Sequence, residues 1–145
     1  MYHLFYQYNP NGAFHGAAEF ALSVLRSPGG DEETRIVYDA GSGVLSIDRS
    51  VSSFDQEPAR EWRGAAVQVG SDGRLGLRVF VDGSMVELFA SDGTSLTSRV
   101  YPTQPDSLGV GVAARGGQAW VRRLDVWEMA TIWPDPARTI PEATS

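Results

Sequence analysis

Turn-forming clusters recur along this chain at intervals too short for helices. Ser27–Asp31, Ala40–Gly43, Gly70–Gly73, Asp82–Ser84, Ser91–Gly93 and Arg115–Gly117 are rich in Gly, Ser, Asp or Pro, and they separate runs of five to nine residues. Gly supplies positive φ without steric cost, while Asp and Ser bond their own backbone a residue or two on. A chain that turns this often has no room for helices, and no stretch sustains a 3.6-residue apolar period. The spacing predicts an all-β fold, a two-sheet antiparallel β-sandwich.

The runs between the turns carry strand periodicity. They are Phe20–Leu25, Thr34–Tyr38, Val44–Asp48, Ala65–Val69, Leu75–Val81, Met85–Phe89, Leu96–Val100, Val110–Ala114 and Ala119–Trp127. In the run from Leu75, the positions Leu75, Leu77, Val79 and Val81 are apolar, so they face a core while Arg78 faces water. Asp82-Gly83 is a tight-turn dipeptide before Met85–Phe89, which predicts a β-hairpin. In Trp120–Trp127 both faces mix apolar and charged residues, so the pattern assigns no core side. Tyr38, Phe80, Trp120 and Trp127 lie within strand runs and are expected in the core.

At 145 residues the chain has the size of one domain and can bury a full core without metals or disulfides. Hydrophobic residues at 42% and charged residues at 21% are globular values. No apolar run reaches the roughly 20 residues of a membrane helix, so no membrane partner is expected. All 12 positive charges are Arg, and 18 carboxylates bring the net charge to -6. That field repels a phosphate backbone, which argues against nucleic acid and leaves neutral ligands unpenalised. With no Cys, thiolate nucleophiles and Cys-ligated zinc are excluded. His3 and His15 lack the spacing of a metal site, so no metal and no cofactor are expected. Calcium at Asp31, Glu32 and Glu33 is the alternative to a simply solvated acidic loop. The N-terminus has neither a positive n-region nor a usable apolar stretch, so it does not read as a signal peptide. Either a cytoplasmic location or prior removal of an export signal is expected.

Three segments follow: residues 1–17, aromatic and unlike the rest; the sandwich, 18–130; and a Pro-rich tail, 131–145, with Pro134, Pro136 and Pro141. The segment Leu77–Gly93, followed by Leu96–Pro102, closely resembles the signature hairpin of the C-terminal β-sandwich domain of glycoside hydrolase family 32, the β-fructosidases. Thr34–Asp39 and Val44–Ser50 resemble the strands before it, so the resemblance runs from about Phe20 to Trp127. It implies a jelly-roll or concanavalin-like sandwich. Tyr2–Gly12 is similar to the first-blade strand of the five-bladed propeller that carries the family's active site. In the family that strand follows the motif bearing the nucleophilic Asp, and Asn9-Pro10-Asn11-Gly12 only mimics that motif. The Arg-Asp-Pro motif has no match, since the one Asp-Pro, Asp135-Pro136, follows Pro134. A Glu-Cys acid/base motif cannot exist without Cys. The resemblance therefore implies a sandwich without its catalytic propeller and with no catalytic residue assigned in this chain.

Retaining glycoside hydrolysis needs two carboxyl groups roughly 5–5.5 Å apart across the scissile bond. Sugar binding asks for less: planar donors, carboxylate acceptors and an aromatic face. Fructan-binding modules related to this sandwich exist, so the resemblance implies that a site for a fructose-containing saccharide is available. The candidate residues are Arg49, Trp62, Asp82, Glu87 and Arg99. Asp82 and Glu87 occupy the signature hairpin, with Gly83 where the family usually carries a larger residue. The alternatives are a turn role for Asp82, an ion pair of Glu87 with Arg99 or Arg49, and strand-tying carboxylate contacts for the two arginines. Trp62, beside Arg60, Glu61 and Arg63, is the candidate exposed stacking ring.

Residues 2–10 form an aromatic strand whose backbone would invite aggregation unless it adds to a sheet. They are expected to pack on the sandwich of the same chain or a partner, which makes a homo-oligomer through residues 2–10 the expected assembly. The leading functional expectation is a non-catalytic sandwich module that binds fructans or fructosides. The alternatives are a minimal β-fructofuranosidase with relocated carboxylates, acting on sucrose or short fructans, and a purely structural remnant.

Overall fold

The computed structural model describes residues 17–55 and 62–129 in full, and the strand Tyr2–Tyr8 through its backbone. Residues 9–16, including Asn9–Gly12, and the Pro-rich tail from 131 lie outside the described residues. Ten strands are described: β1 (Tyr2–Tyr8), β2 (Glu19–Arg26), β3 (Thr34–Asp39), β4 (Val44–Asp48), β5 (Arg63–Ala66), β6 (Leu75–Asp82), β7 (Met85–Ala90), β8 (Ser95–Arg99), β9 (Gly109–Arg115) and β10 (Val126–Glu128). They form two five-stranded sheets, β10-β1-β6-β7-β8 and β5-β4-β3-β2-β9, and every pairing is antiparallel. We call the first the hairpin sheet and the other the second sheet. The all-β sandwich expected from the turn spacing is the fold.

The two inner faces follow the period-two pattern. Leu75, Leu77, Val79 and Val81 of β6 and Val86 and Leu88 of β7 are buried against Leu22, Ile36, Leu45 and Ile47 of the second sheet. Arg78 is exposed on the other face of β6. Burying each aliphatic side chain contributes about 2 kcal/mol, which makes this face the main stabilising feature and pins the register. The predicted turns coincide with positive φ at Gly30, Gly43, Gly73, Gly83, Gly93, Gly116 and Gly117. In β2 the ladder to β9 slips between Ser23 and Arg26, where Leu25 has φ 48°. That bulge brings the Arg26 carbonyl so near Gly109 that a Cβ there would lie 2.7 Å from it.

Four expectations differ from the structure. The run Ala65–Val69 is strand only from Arg63 to Ala66, and Ala119–Trp127 pairs only at Val126–Glu128. The second run lacks a consistently apolar face, so nothing anchors it in register, and Arg123 pairs locally with Asp125. Phe80 is half-buried on the outer face rather than in the core, because the alternation that buries Val79 and Val81 turns it outward. Trp120 and Trp127 are exposed, whereas Tyr38 is buried as expected. Tyr2–Tyr8, set apart by the sequence division at 1–17, pairs with β6 from His3 to Tyr8 and with β10 from Tyr2 to Leu4. Of the two packings expected for this segment, the structure has the one within the chain.

The crossover from β8 to β9 is held by a single carboxylate. Glu32 is 0% exposed and accepts from the Thr103 N–H (2.7 Å), the Thr103 hydroxyl (2.7 Å), the Gln104 N–H (3.0 Å) and the Ser107 hydroxyl (2.5 Å). Burial by itself would raise its pKa, but the bonds from Ser107, Thr103 and Gln104 outweigh it and hold the carboxyl at about 2, against an ordinary 4.5. The expected solvated acidic loop is therefore a clamp. The neighbouring Glu33 is paired with Arg26 (3.0 Å) and Arg35 (3.8 Å), so these two carboxylates already have protein partners in place of the calcium alternative.

Candidate functional site

The β6–β7 hairpin turns through only Gly83 and Ser84, with Asp82 paired to Met85 across its mouth. Gly83 has φ 53°, a backbone conformation suited to a first turn residue without a side chain. A Cβ at Gly83 would meet nothing within 4 Å, so the turn is open on that side. The turn is drawn toward the end of β8, because the Val100 N–H donates to the Ser84 carbonyl at 2.8 Å. Arg99 is thereby set beside it, opposite Met85 in the ladder, with Nη1 donating a long 3.4 Å bond to the Ser84 hydroxyl.

Glu87 lies on the outer face of β7, opposite Phe80 of β6 and Thr97 of β8. Together Asp82, Glu87 and Arg99 border a depression of about 400 Å³, whose remaining wall is Phe80, Met85 and the turn. Among the described residues neither Asp82 nor Glu87 has a hydrogen-bond or ion-pair partner. Among the described residues Asp82 therefore makes no side-chain bond to the turn backbone, and Glu87 is not ion-paired with Arg99 or Arg49. Arg49 follows β4 in the second sheet and donates from Nη1 to the Arg99 carbonyl at 2.8 Å. It ties the two sheets together at the rim through a backbone carbonyl, behind Arg99.

Trp62 is 62% exposed, as expected of a stacking ring, but it stands elsewhere. It precedes β5 and lies across Gly64, where an added Cβ would fall 2.8 Å from the indole. The structure thus gathers Asp82, Glu87 and Arg99, places Arg49 in support and leaves Trp62 apart. Phe80, Ser84 and Met85 are wall residues not among the sequence candidates. The signal for Phe80 was present, since it shares the parity of Arg78 and Asp82 in the run from Leu75.

Chemically, the depression offers one planar guanidinium, two carboxylates unengaged among the described residues, a hydroxyl and an aromatic edge. Two negative charges against one positive disfavour an anion, while hydroxyls of a neutral polyol can both donate to the carboxylates and accept from Arg99.

Comparison with known proteins agrees with the fold. The chain is 32% identical over 121 residues to an extracellular exo-inulinase of Aspergillus awamori, covering 81% of this chain and 22% of that protein. It is 31% identical over 113 residues to a fructan beta-fructosidase of Streptococcus mutans, covering 77% of this chain and 8% of that one. The chain thus spans less than a quarter of either relative. The crystal structure of the A. awamori exo-inulinase superposes with a TM-score of 0.82 at 26% identity, covering 91% of this chain and 25% of that one. The carbohydrate binding module CBM66 from Bacillus subtilis shares the fold, with a TM-score of 0.65 at 10% identity over 88% of this chain and 74% of that one. The model of the family described as glycosyl hydrolases family 32 C terminal matches residues 7–128, and the chain belongs to that family.

Proposed function

We propose that this β-sandwich is a saccharide-binding module that takes a fructose residue at the depression formed by Asp82, Glu87 and Arg99. The observation that carries the reading is the convergence, on the outer sheet face, of one guanidinium and two carboxylates that have no partner among the described residues. A carboxylate left without a protein partner is free to accept from a ligand hydroxyl, whereas one already paired is not. Arg99 acts as the planar donor to adjacent hydroxyls, Glu87 and Asp82 as acceptors, and Phe80 and Met85 as the apolar wall beside the ring's C–H surface. Arg49 positions Arg99. The relatives support the reading through names that refer to inulin and fructan, and one fold neighbour through its name as a carbohydrate-binding module.

The test is calorimetric titration of the full chain with fructose, inulin and levan, with free fructose measured in the same samples. Binding heat without fructose release, lost in Glu87→Gln, is the expected result. Fructose release abolished by a single acid substitution would replace this reading with a hydrolytic one. Silence in both channels would overturn it.

A further inference from the structure

The outer face of the hairpin sheet does not end at the depression. Ladder pairing sets Arg78 opposite Phe89, Phe80 opposite Glu87 and Asp82 opposite Met85, so these side chains share one face. Phe80 and Phe89 touch edge to face, with centroids 5.9 Å apart and planes at 82°. Phe80 walls the first depression, and Phe89 walls a second, larger hollow of about 690 Å³ that also involves Arg74, Arg78, Ser91 and Asp92. The aromatic pair is the ridge between them. Arg78 lines the second hollow and Asp82 the first, and being four residues apart on β6 they stand roughly 13 Å from each other along the strand.

The second hollow has fixed walls. Asp92 accepts from the Gln68 N–H at 2.7 Å and the Thr94 N–H at 3.0 Å, and the Ser91 hydroxyl accepts from the Gly76 N–H at 3.2 Å. Asp72 pairs with Arg74 Nη1 at 3.3 Å. Three groups there keep exposed surface or donors to offer a ligand. The Phe89 ring is 42% exposed, Arg78 has no hydrogen-bond or ion-pair partner among the described residues, and Arg74 Nε is buried with no hydrogen-bond partner. A buried N–H without an acceptor costs stability unless something else supplies one. An exposed ring flanked by unsatisfied guanidinium donors repeats the aromatic and donor part of the first depression on the far side of the ridge, while the carboxylates Asp72 and Asp92 are already paired and serve as its walls.

We propose that Phe89, Arg78 and Arg74 form a second saccharide subsite, and that the two hollows together hold separate residues of one fructan chain lying along β6 and β7. This rests on the reading of the first depression as a fructose site and extends it from a monosaccharide to a chain. One furanose ring cannot bridge the separation, so a chain engages both hollows only once it is long enough. The second contact then becomes intramolecular and raises affinity without altering the first.

The experiment compares fructose with inulin-type and levan-type oligosaccharides of increasing length, by calorimetry on the wild-type chain, Glu87→Gln, Phe89→Ala and Arg78→Ala. Thermal melts confirm that each variant is folded. Affinity is expected to rise at least about tenfold from fructose to the longer oligosaccharides of one series. Phe89→Ala and Arg78→Ala should each remove most of that rise, and Arg78→Ala, which does not touch the first depression, should leave fructose binding unchanged. No rise with length, or a rise that survives both substitutions, overturns the second subsite while the first stands. Oligosaccharide binding lost in Phe89→Ala but untouched by Glu87→Gln overturns the first site instead. No binding of any saccharide overturns both.

Discussion

Glu32 lies in an acidic turn and Glu87 in an apolar strand, and their surroundings in the fold are the reverse of what those neighbours imply. Glu32 is wholly buried, its two oxygens taken up by four donors from the β8–β9 crossover. Glu87 is half-buried in a solvent-facing depression with no partner among the described residues. A carboxylate whose acceptor sites are filled by the protein stabilises the fold and has nothing left for a ligand. One whose acceptor sites are empty contributes little to stability and is available for binding. The two residues separate a structural role from the binding role proposed for Glu87 within one residue type.

The largest effect that would break this comparison is on stability. Glu32→Gln turns one acceptor oxygen into a donor facing backbone and hydroxyl donors. It should lower unfolding stability by about 3 kcal/mol, read as a lower urea midpoint at unchanged slope. Glu87→Gln should stay within about 0.5 kcal/mol of wild type. Equal losses would erase the distinction.

The pH dependence sharpens the same point. The folded-state pKa of Glu32, about 2, lies below its ordinary 4.5. Its contribution is therefore complete above about 4.5 and is lost as pH falls toward 2, by about 3 kcal/mol in all. Denaturant midpoints measured from pH 6 down to 2 should show that loss in wild type and lack it in Glu32→Gln.

Ligand binding is the converse measurement. Glu87→Gln should weaken fructose binding by about tenfold or more, the range for a hydrogen bond to a charged group, while Glu32→Gln, assayed where it is folded, should bind as wild type. The smallest effect is expected at Arg49. Removing its bond to the Arg99 carbonyl with Arg49→Ala should cost about 1 kcal/mol of stability. It should also loosen fructose binding less than Arg99→Ala does, which a side-by-side titration of the two variants would show.

Much of the fold was legible because its determinants are local. The Leu75–Val81 alternation and the Asp82-Gly83 turn predict the β6–β7 hairpin, its inner face and its loop length. The run from Trp120 failed because charged residues interrupt both faces, leaving no pattern for a partner strand to read. Of the candidate site, Asp82 and Glu87 were legible through the hairpin and Arg99 through the strand after it. Trp62 was legible as exposed but not in position, because sheet order, not local pattern, decides that β5 lies in the second sheet.

By itself the sequence determined the sandwich class, the turns and the alternating core of this chain, because backbone sterics and period-two burial act over a few residues. The tertiary structure decided which acids are saturated and which have no partner among the described residues. Glu32 meets Thr103, Gln104 and Ser107 more than seventy positions away, and Arg49 meets Arg99 fifty positions away. Partners at such distances are chosen by how two sheets stack, and no local spacing in the chain encodes them.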